Sequence, residues 1–182
     1  MSELLWRVRP LILVSIASLV LAGCGSSRYT VLEPAKEDLT AFSVLEIRDF
    51  TSNLNDADSV DLANRFADQL HAAVMENREE NPGESIFNEV VRGTDKTDGV
   101  LQVDGVVVSF EKGSRAKRYF IGFGAGKAYC TIQATFSNKA TGEVVLKTNF
   151  DGELSMSFFG GSPEEAVEAV VRAFIDYFDD YF

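Results

Sequence analysis

Residues 127–137, KAYCTIQATFS, alternate between apolar and polar side chains over their whole length. The apolar members are Ala128, Cys130, Ile132, Ala134 and Phe136. Because successive side chains of a strand point to opposite faces, this pattern predicts an antiparallel strand with one face in the core and the other in water. It also predicts that Cys130 serves as a small buried hydrophobe.

The residues that follow this strand predict a hairpin. The stretch 138–142, NKATG, has the composition of a turn, and Gly142 suits a left-handed backbone conformation. Residues 143–154 then form the returning strand, with Val144, Leu146 and Phe150 on one face.

Two amphipathic helices are predicted on either side of these strands. Residues 59–79 carry apolar side chains at helical spacing, and Asn81-Pro82-Gly83 ends the pattern. Residues 162–179 begin with a capping box, Ser162-Pro163-Glu164-Glu165, and continue with an apolar stripe. Both stripes indicate helices that pack on a sheet.

Three further strand candidates complete the fold. Residues 42–50 precede the first helix and residues 85–92 follow it, which is the order of a β-α-β unit. Residues 100–110 are rich in β-branched side chains, and Gly105 among them suggests a bulge or a close backbone approach. The sequence therefore predicts an α/β two-layer sandwich. Its mixed sheet of about five strands, a β-α-β unit followed by antiparallel strands, carries both helices on one face.

The beginning of the chain has the layout of a bacterial lipoprotein signal. Basic residues precede a short apolar core at 11–21, which is too short to span a membrane and typical of a signal peptide. Leu21, Ala22 and Gly23 form the peptidase recognition site before Cys24, the residue that maturation acylates. We therefore expect a signal peptide at 1–23, a lipidated cysteine and tether at 24–40, and one domain at 41–182. Gly25, in place of a retaining aspartate, favours the outer membrane, with the domain facing the periplasm.

Composition excludes several functions. The chain has 17 basic and 28 acidic residues, for a net charge of −11, which disfavours nucleic-acid binding. Lipid on Cys24 would leave Cys130 without a disulfide partner, and His71 is the only histidine, so a zinc site cannot be assembled. We expect no metal, no cofactor and no catalytic residue.

One segment of the domain stands out by its charge. Residues 112–126, hereafter the basic segment, read KGSRAKRYFIGFGAG in an otherwise acidic protein. The residues expected to form an interaction loop are Lys112, Arg115, Lys117, Arg118, Phe120, Gly122, Phe123, Gly124 and Gly126. The glycine spacing matches neither a dinucleotide fingerprint nor a P-loop. Cations mixed with aromatics fit an acidic partner surface, an anionic envelope polymer or a neighbouring copy, although a solvated hairpin tip would have the same composition.

The same segment carries a family resemblance. Gly113, Arg115 and Arg118, followed by Gly122-Phe123-Gly124-Ala125-Gly126, resemble the G-x-R-x-x-R and G-F-G-A-G signature of the DUF4410 family of bacterial lipoproteins. The resemblance covers roughly residues 40–180. It implies a periplasm-facing lipoprotein with no established activity, and it transfers no catalytic residue.

Three functional hypotheses remain open at this point. The first is a non-enzymatic, lipid-anchored binding or scaffolding domain that acts through the basic segment. The second is a homo-oligomeric subunit of an envelope assembly or secretion apparatus. The third is an enzyme that uses carboxylates such as Asp49, Asp104 or Glu111, although no spacing marks two of them as an acid/base pair.

Overall fold

Six strands and two long helices make up the part of the chain that the computed structural model describes, residues 26–83, 87–112, 128–153 and 163–181. The strands are β1 (Ser26–Glu33), β2 (Val44–Ser52), β3 (Glu89–Val91), β4 (Val100–Glu111), β5 (Tyr129–Asn138) and β6 (Val144–Glu153). The helices are α1 (Ala57–Glu80) and α2 (Pro163–Tyr181).

The strands form one mixed sheet in the order β1-β6-β5-β4-β2-β3. Strands β4, β5 and β6 are mutually antiparallel, and β1 extends this arrangement beside β6. Strand β2 is parallel to β3 and to β4, so the β-α-β unit of β2, α1 and β3 lies at one side of the sheet. The predicted α/β class is confirmed.

Both helices pack on the same face of the sheet, hereafter the helix face. Helix α1 contacts β2, β3 and β4, whereas α2 contacts β6, β1 and β5, and the two helices touch each other. The alternating residues of β5 are buried as their pattern predicts, and Phe136 packs against Phe174 of α2 with ring centroids 5.6 Å apart. The opposite face of the sheet, the open face, carries mostly polar side chains.

Polar capping residues mark both ends of helix α1. The carboxylate of Asp56 accepts a hydrogen bond from the backbone N–H of Ser59 at 2.9 Å, which caps the first turn. Leu62, Phe66 and Leu70 are buried on the stripe that faces the sheet. Asn81 closes the last turn.

Strand β1 is the main difference from the sequence prediction. The sequence predicts a spacer over residues 24–40, whereas Ser26–Glu33 forms an edge strand antiparallel to β6. Tyr29 and Val31 explain this, because both pack against the core, and the ring of Tyr29 lies 5.0 Å from that of Tyr177. This strand accounts for a sheet of six strands rather than about five.

Two glycines behave as the sequence predicts. Gly142 has a φ of 73° in the turn between β5 and β6. A Cβ on Gly105 would lie 2.5 Å from Phe50 Cε1 and 2.8 Å from the carbonyl oxygen of Gln133, so the backbone of β4 makes the close approach that was inferred.

Neither helix of the described part is long and apolar enough to cross a membrane.

Candidate functional site

One end of the sheet is the attachment point for the segments that the sequence singles out. Ser26 of β1, Glu153 of β6, Tyr129 of β5 and Glu111 of β4 lie side by side in register. We call this row the loop end of the sheet. Residues 113–127 leave and re-enter the sheet here, because β4 finishes at Glu111 and β5 starts at Tyr129. Residues 154–162, which join β6 to α2, leave from the same row.

Most of the predicted site residues lie outside the described residues. These are Cys24 with its recognition residues Leu21, Ala22 and Gly23, and Arg115, Lys117, Arg118, Phe120, Gly122, Phe123, Gly124 and Gly126 of the basic segment. The structure describes only Lys112, whose ammonium group forms an ion pair with Asp58 in the first turn of α1. This ion pair fixes the base of the basic segment beside the start of α1.

Polar groups of the open face form a small network next to the loop end. The Tyr129 hydroxyl and the Thr131 hydroxyl both donate to Asp151 Oδ1, at 2.9 and 2.6 Å. On the neighbouring strand, the guanidinium of Arg28 lies 3.1 Å from a carboxylate oxygen of Glu153. The nearby Thr131 hydroxyl acts to lower the pKa of the Tyr129 phenol, but burial and the nearby Asp151 outweigh it and raise that pKa. Tyr129 is therefore held as a neutral donor.

The carboxylates that an enzyme would use lie in different surroundings. Asp49 lies in a bulge of β2, where Arg92 holds it in an ion pair of 2.7 Å. Asp104 is on the open face near Arg48, and desolvation by burial raises its pKa. Glu111 lies seven residues further along β4, about 23 Å away in an extended strand.

A buried ionic cluster occupies the opposite end of the sheet. Glu46 is only 2% exposed, and its carboxylate accepts hydrogen bonds from Lys139 Nζ and Gln102 Nε2, each at 2.8 Å. The backbone N–H of Thr94 donates to it at 3.3 Å. Burial acts to raise the pKa of Glu46, but these hydrogen bonds outweigh it and lower that pKa. The cluster ties β2, β4 and the β5–β6 turn together.

His71 links helix α1 to strand β3. It is half-buried on α1, and its Nε2–H donates to the carbonyl oxygen of Val90 in β3 at 3.2 Å. Within residues 26–83, 87–112, 128–153 and 163–181, no three His, Cys, Asp or Glu side chains come together as metal ligands.

Cys130 is fully buried, as predicted, and burial raises the pKa of its thiol to about 12, with a smaller contribution from the charge of Asp151. With Cys24 replaced by serine, Cys130 should therefore react with iodoacetamide at pH 8 about a thousandfold more slowly than a free thiol of pKa about 8.5. Mass spectrometry of alkylated protein, with and without denaturant, measures this difference. Equal rates in the two conditions would contradict the burial of Cys130.

The two helices carry most of the net negative charge of the protein. Together α1 and α2 contain 12 acidic and three basic residues, whereas the basic segment contains four basic residues and no acidic one. Between the helices runs an open groove of about 540 Å³. Ala72, Ala73, Val167, Val171 and Ile175 give it an apolar floor, and Glu76, Glu80 and Glu168 lie along its rim. The sequence analysis assigned these stripes to core packing and missed the groove, because the groove exists only where the two helices meet.

The chain matches one family model and is similar in fold to several solved structures. A family model described as "Domain of unknown function (DUF4410)" matches residues 38–153. No curated protein sequence matches the chain. Among solved structures, the chain is similar to the PelC dodecamer from Paraburkholderia phytofirmans, with 13% identity and a TM-score of 0.48 over 82% of this chain and 95% of that one. It is also similar to a DUF330 protein from Xanthomonas campestris, with 11% identity and a TM-score of 0.46 over 83% of this chain and 88% of that one.

Proposed function

The chain belongs to the DUF4410 family, whose description names no activity, and we propose that it is a non-enzymatic, lipid-anchored binding domain of the bacterial cell envelope that acts through the basic segment. The anchor would be acyl chains on Cys24. The domain would face the periplasm from the outer membrane.

The observation that carries this proposal is the topology of the loop end. Cys24 precedes Ser26 by two residues, so its Cα can lie at most about 7 Å from the start of β1. The basic segment leaves the sheet from the same row of residues. Lipid on Cys24 would therefore hold the basic segment close to the membrane surface, where it meets other envelope components.

The arrangement of carboxylates supports a binding role rather than an enzymatic one. General acid/base chemistry needs two groups within reach of one substrate. Asp49 is engaged by Arg92, and Asp104 and Glu111 are separated along β4. Cys130 is buried with a raised pKa, which does not suit a nucleophile.

Self-association is the second candidate function, and the separation of charge favours it. Acidic residues are concentrated on the two helices, while the basic segment leaves from the loop end. A protein with one acidic surface and one basic segment can bind copies of itself head to tail. In that case the domain would be a repeating subunit of an envelope assembly.

Reversing charge in the basic segment tests the binding role. We expect Arg115→Glu with Arg118→Glu to abolish the adducts that a photoreactive phenylalanine analogue at position 120 forms in living cells, because opposite charges attract the partner to this segment. The measurement is mass spectrometry of the crosslinked products. The matched control is Lys36→Glu with Lys96→Glu, which reverses two exposed charges elsewhere and should leave the adducts unchanged.

Two results would count against the proposal. Adducts that persist in the Arg115/Arg118 variant, with an unchanged melting temperature, would show that the basic segment does not recognise the partner. Mass spectrometry of the wild-type protein that shows no acyl chains on Cys24 would refute the lipid anchor.

A further inference from the structure

The groove between α1 and α2 combines the features of a binding site for a basic, aromatic peptide. Its floor is apolar and includes the buried Val167 and Val171. Its rim is acidic on both sides, since Glu76 and Glu80 belong to α1 and Glu168 belongs to α2. Arg172, the only basic residue in the groove lining, is in an ion pair of 3.9 Å with Glu168. Such a groove matches a segment in which cations alternate with bulky side chains.

The basic segment of this same protein has that chemistry. It presents Arg115, Lys117 and Arg118, followed by Phe120 and Phe123. The open face of the sheet is a poorer match for this segment, because it is polar and carries charges of both signs.

The length of the chain argues that the occupant comes from a second copy. Lys112, where the segment starts, is paired with Asp58 in the first turn of α1. Along α1, Glu76 and Glu80 lie about 27 and 33 Å beyond Asp58. The backbone of Arg118, six residues after Lys112, extends at most about 21 Å from it. The cations of the basic segment therefore fall short of Glu80 at the far end of the groove in their own chain, whereas the segment of a neighbouring copy that is displaced along the groove can reach it.

We propose that the groove between α1 and α2 binds the basic segment of a second copy of this chain. The inference rests on the proposed role of the basic segment and names its partner. Because the two contacting surfaces differ, the interface is heterologous, and each copy can donate its segment to one neighbour and receive the segment of another. Repetition of this contact gives closed rings or open filaments.

A charge exchange between groove and segment tests this inference. The groove variant carries Glu76→Lys and Glu80→Lys, and the segment variant carries Arg115→Glu and Arg118→Glu. We expect each variant alone to self-associate at least about a hundredfold more weakly than the wild type, because like charges then face each other at the contact. An equal mixture of the two variants should associate again, since each then meets a complementary partner in the other. The matched control is Glu79→Lys with Glu143→Lys, which makes the same change of charge outside the groove lining.

The measurement is sedimentation velocity of the full-length protein extracted from membranes in detergent, at low and at high salt. A wild type that is monomeric in both conditions would overturn the inference. So would a mixture that fails to associate, because a contact within one chain cannot be restored by mixing. If the segment variant loses its cellular crosslinks but the mixture stays monomeric, the groove assignment is wrong while the binding role of the segment stands.

Discussion

Replacing Gly152 with valine is expected to lower the free energy of unfolding by about 3 kcal/mol, the upper part of the usual range for an overpacked core. Gly152 is buried on the helix face of β6, where α2 crosses the strand. A Cβ there would clash with the carbonyl oxygen of Ala166, and it would lie 2.8 Å from Val170 Cγ2 and 2.9 Å from the backbone nitrogen of Val170. Since two of these atoms are backbone, the whole helix has to shift.

Gly93→Val is the matched control for this substitution. A Cβ on Gly93 meets no atom within 4 Å, and its backbone is not left-handed. Urea unfolding of both variants, followed by circular dichroism, measures the difference. Equal unfolding midpoints for the two valine variants would mean that α2 does not lie against Gly152.

Lys139→Met is expected to lower the free energy of unfolding at pH 7 by about 3 kcal/mol, because it removes the nearer of the two cations beside the buried Glu46 carboxylate and leaves only Arg48, 3.9 Å away. Glu46 is 2% exposed, and Lys139 is its only hydrogen-bonding cation. Adding Glu46→Gln to Lys139→Met removes the buried charge and should recover much of this loss. A double variant as unstable as Lys139→Met would show that packing, and not the unpaired charge, causes the loss.

The contribution of Glu46 to the free energy of unfolding should depend on pH with opposite signs in the wild type and in Lys139→Met. In the wild type the pKa of Glu46 is lowered, so its stabilising effect is complete above the ordinary glutamate pKa and is lost as the pH falls through the lower folded value. Without Lys139, burial is opposed only by Gln102, Thr94 and the more distant Arg48, so we expect the pKa of Glu46 to rise. The variant should therefore become more stable, relative to the wild type, as the pH falls from 7 toward 5. Unfolding midpoints across this range measure the effect.

The elements with a clear hydrophobic period could be predicted from the sequence. Apolar and polar residues alternate so regularly in β5 that the pattern predicts each residue of its buried face. The apolar stripe of α1 likewise predicts which side of the helix packs on the sheet. The β5–β6 turn could be predicted from Gly142, because glycine readily adopts the positive φ that this turn uses.

Features that depend on distant residues could not be predicted. Strand β1 is held by Tyr177 of α2 and by pairing with β6, and both lie more than 100 residues away in the chain. The Glu46–Lys139 pair could not be predicted either, because the sequence around each residue is equally consistent with a charge exposed to solvent. The groove arises only where α1 and α2 meet, so neither helix shows it alone.

The position of β1 gives the proposed anchor a mechanical property. A pull on lipid attached to Cys24 would reach the fold at Ser26, the first residue of β1, and its component along β1 would act on that strand. The load then falls in shear on the ladder that joins β1 to β6, from Ser26 to Glu33, and its hydrogen bonds resist together rather than opening one after another. Force from the membrane would thus be passed through β6 into the centre of the sheet, and the domain would move with its anchor as a rigid body.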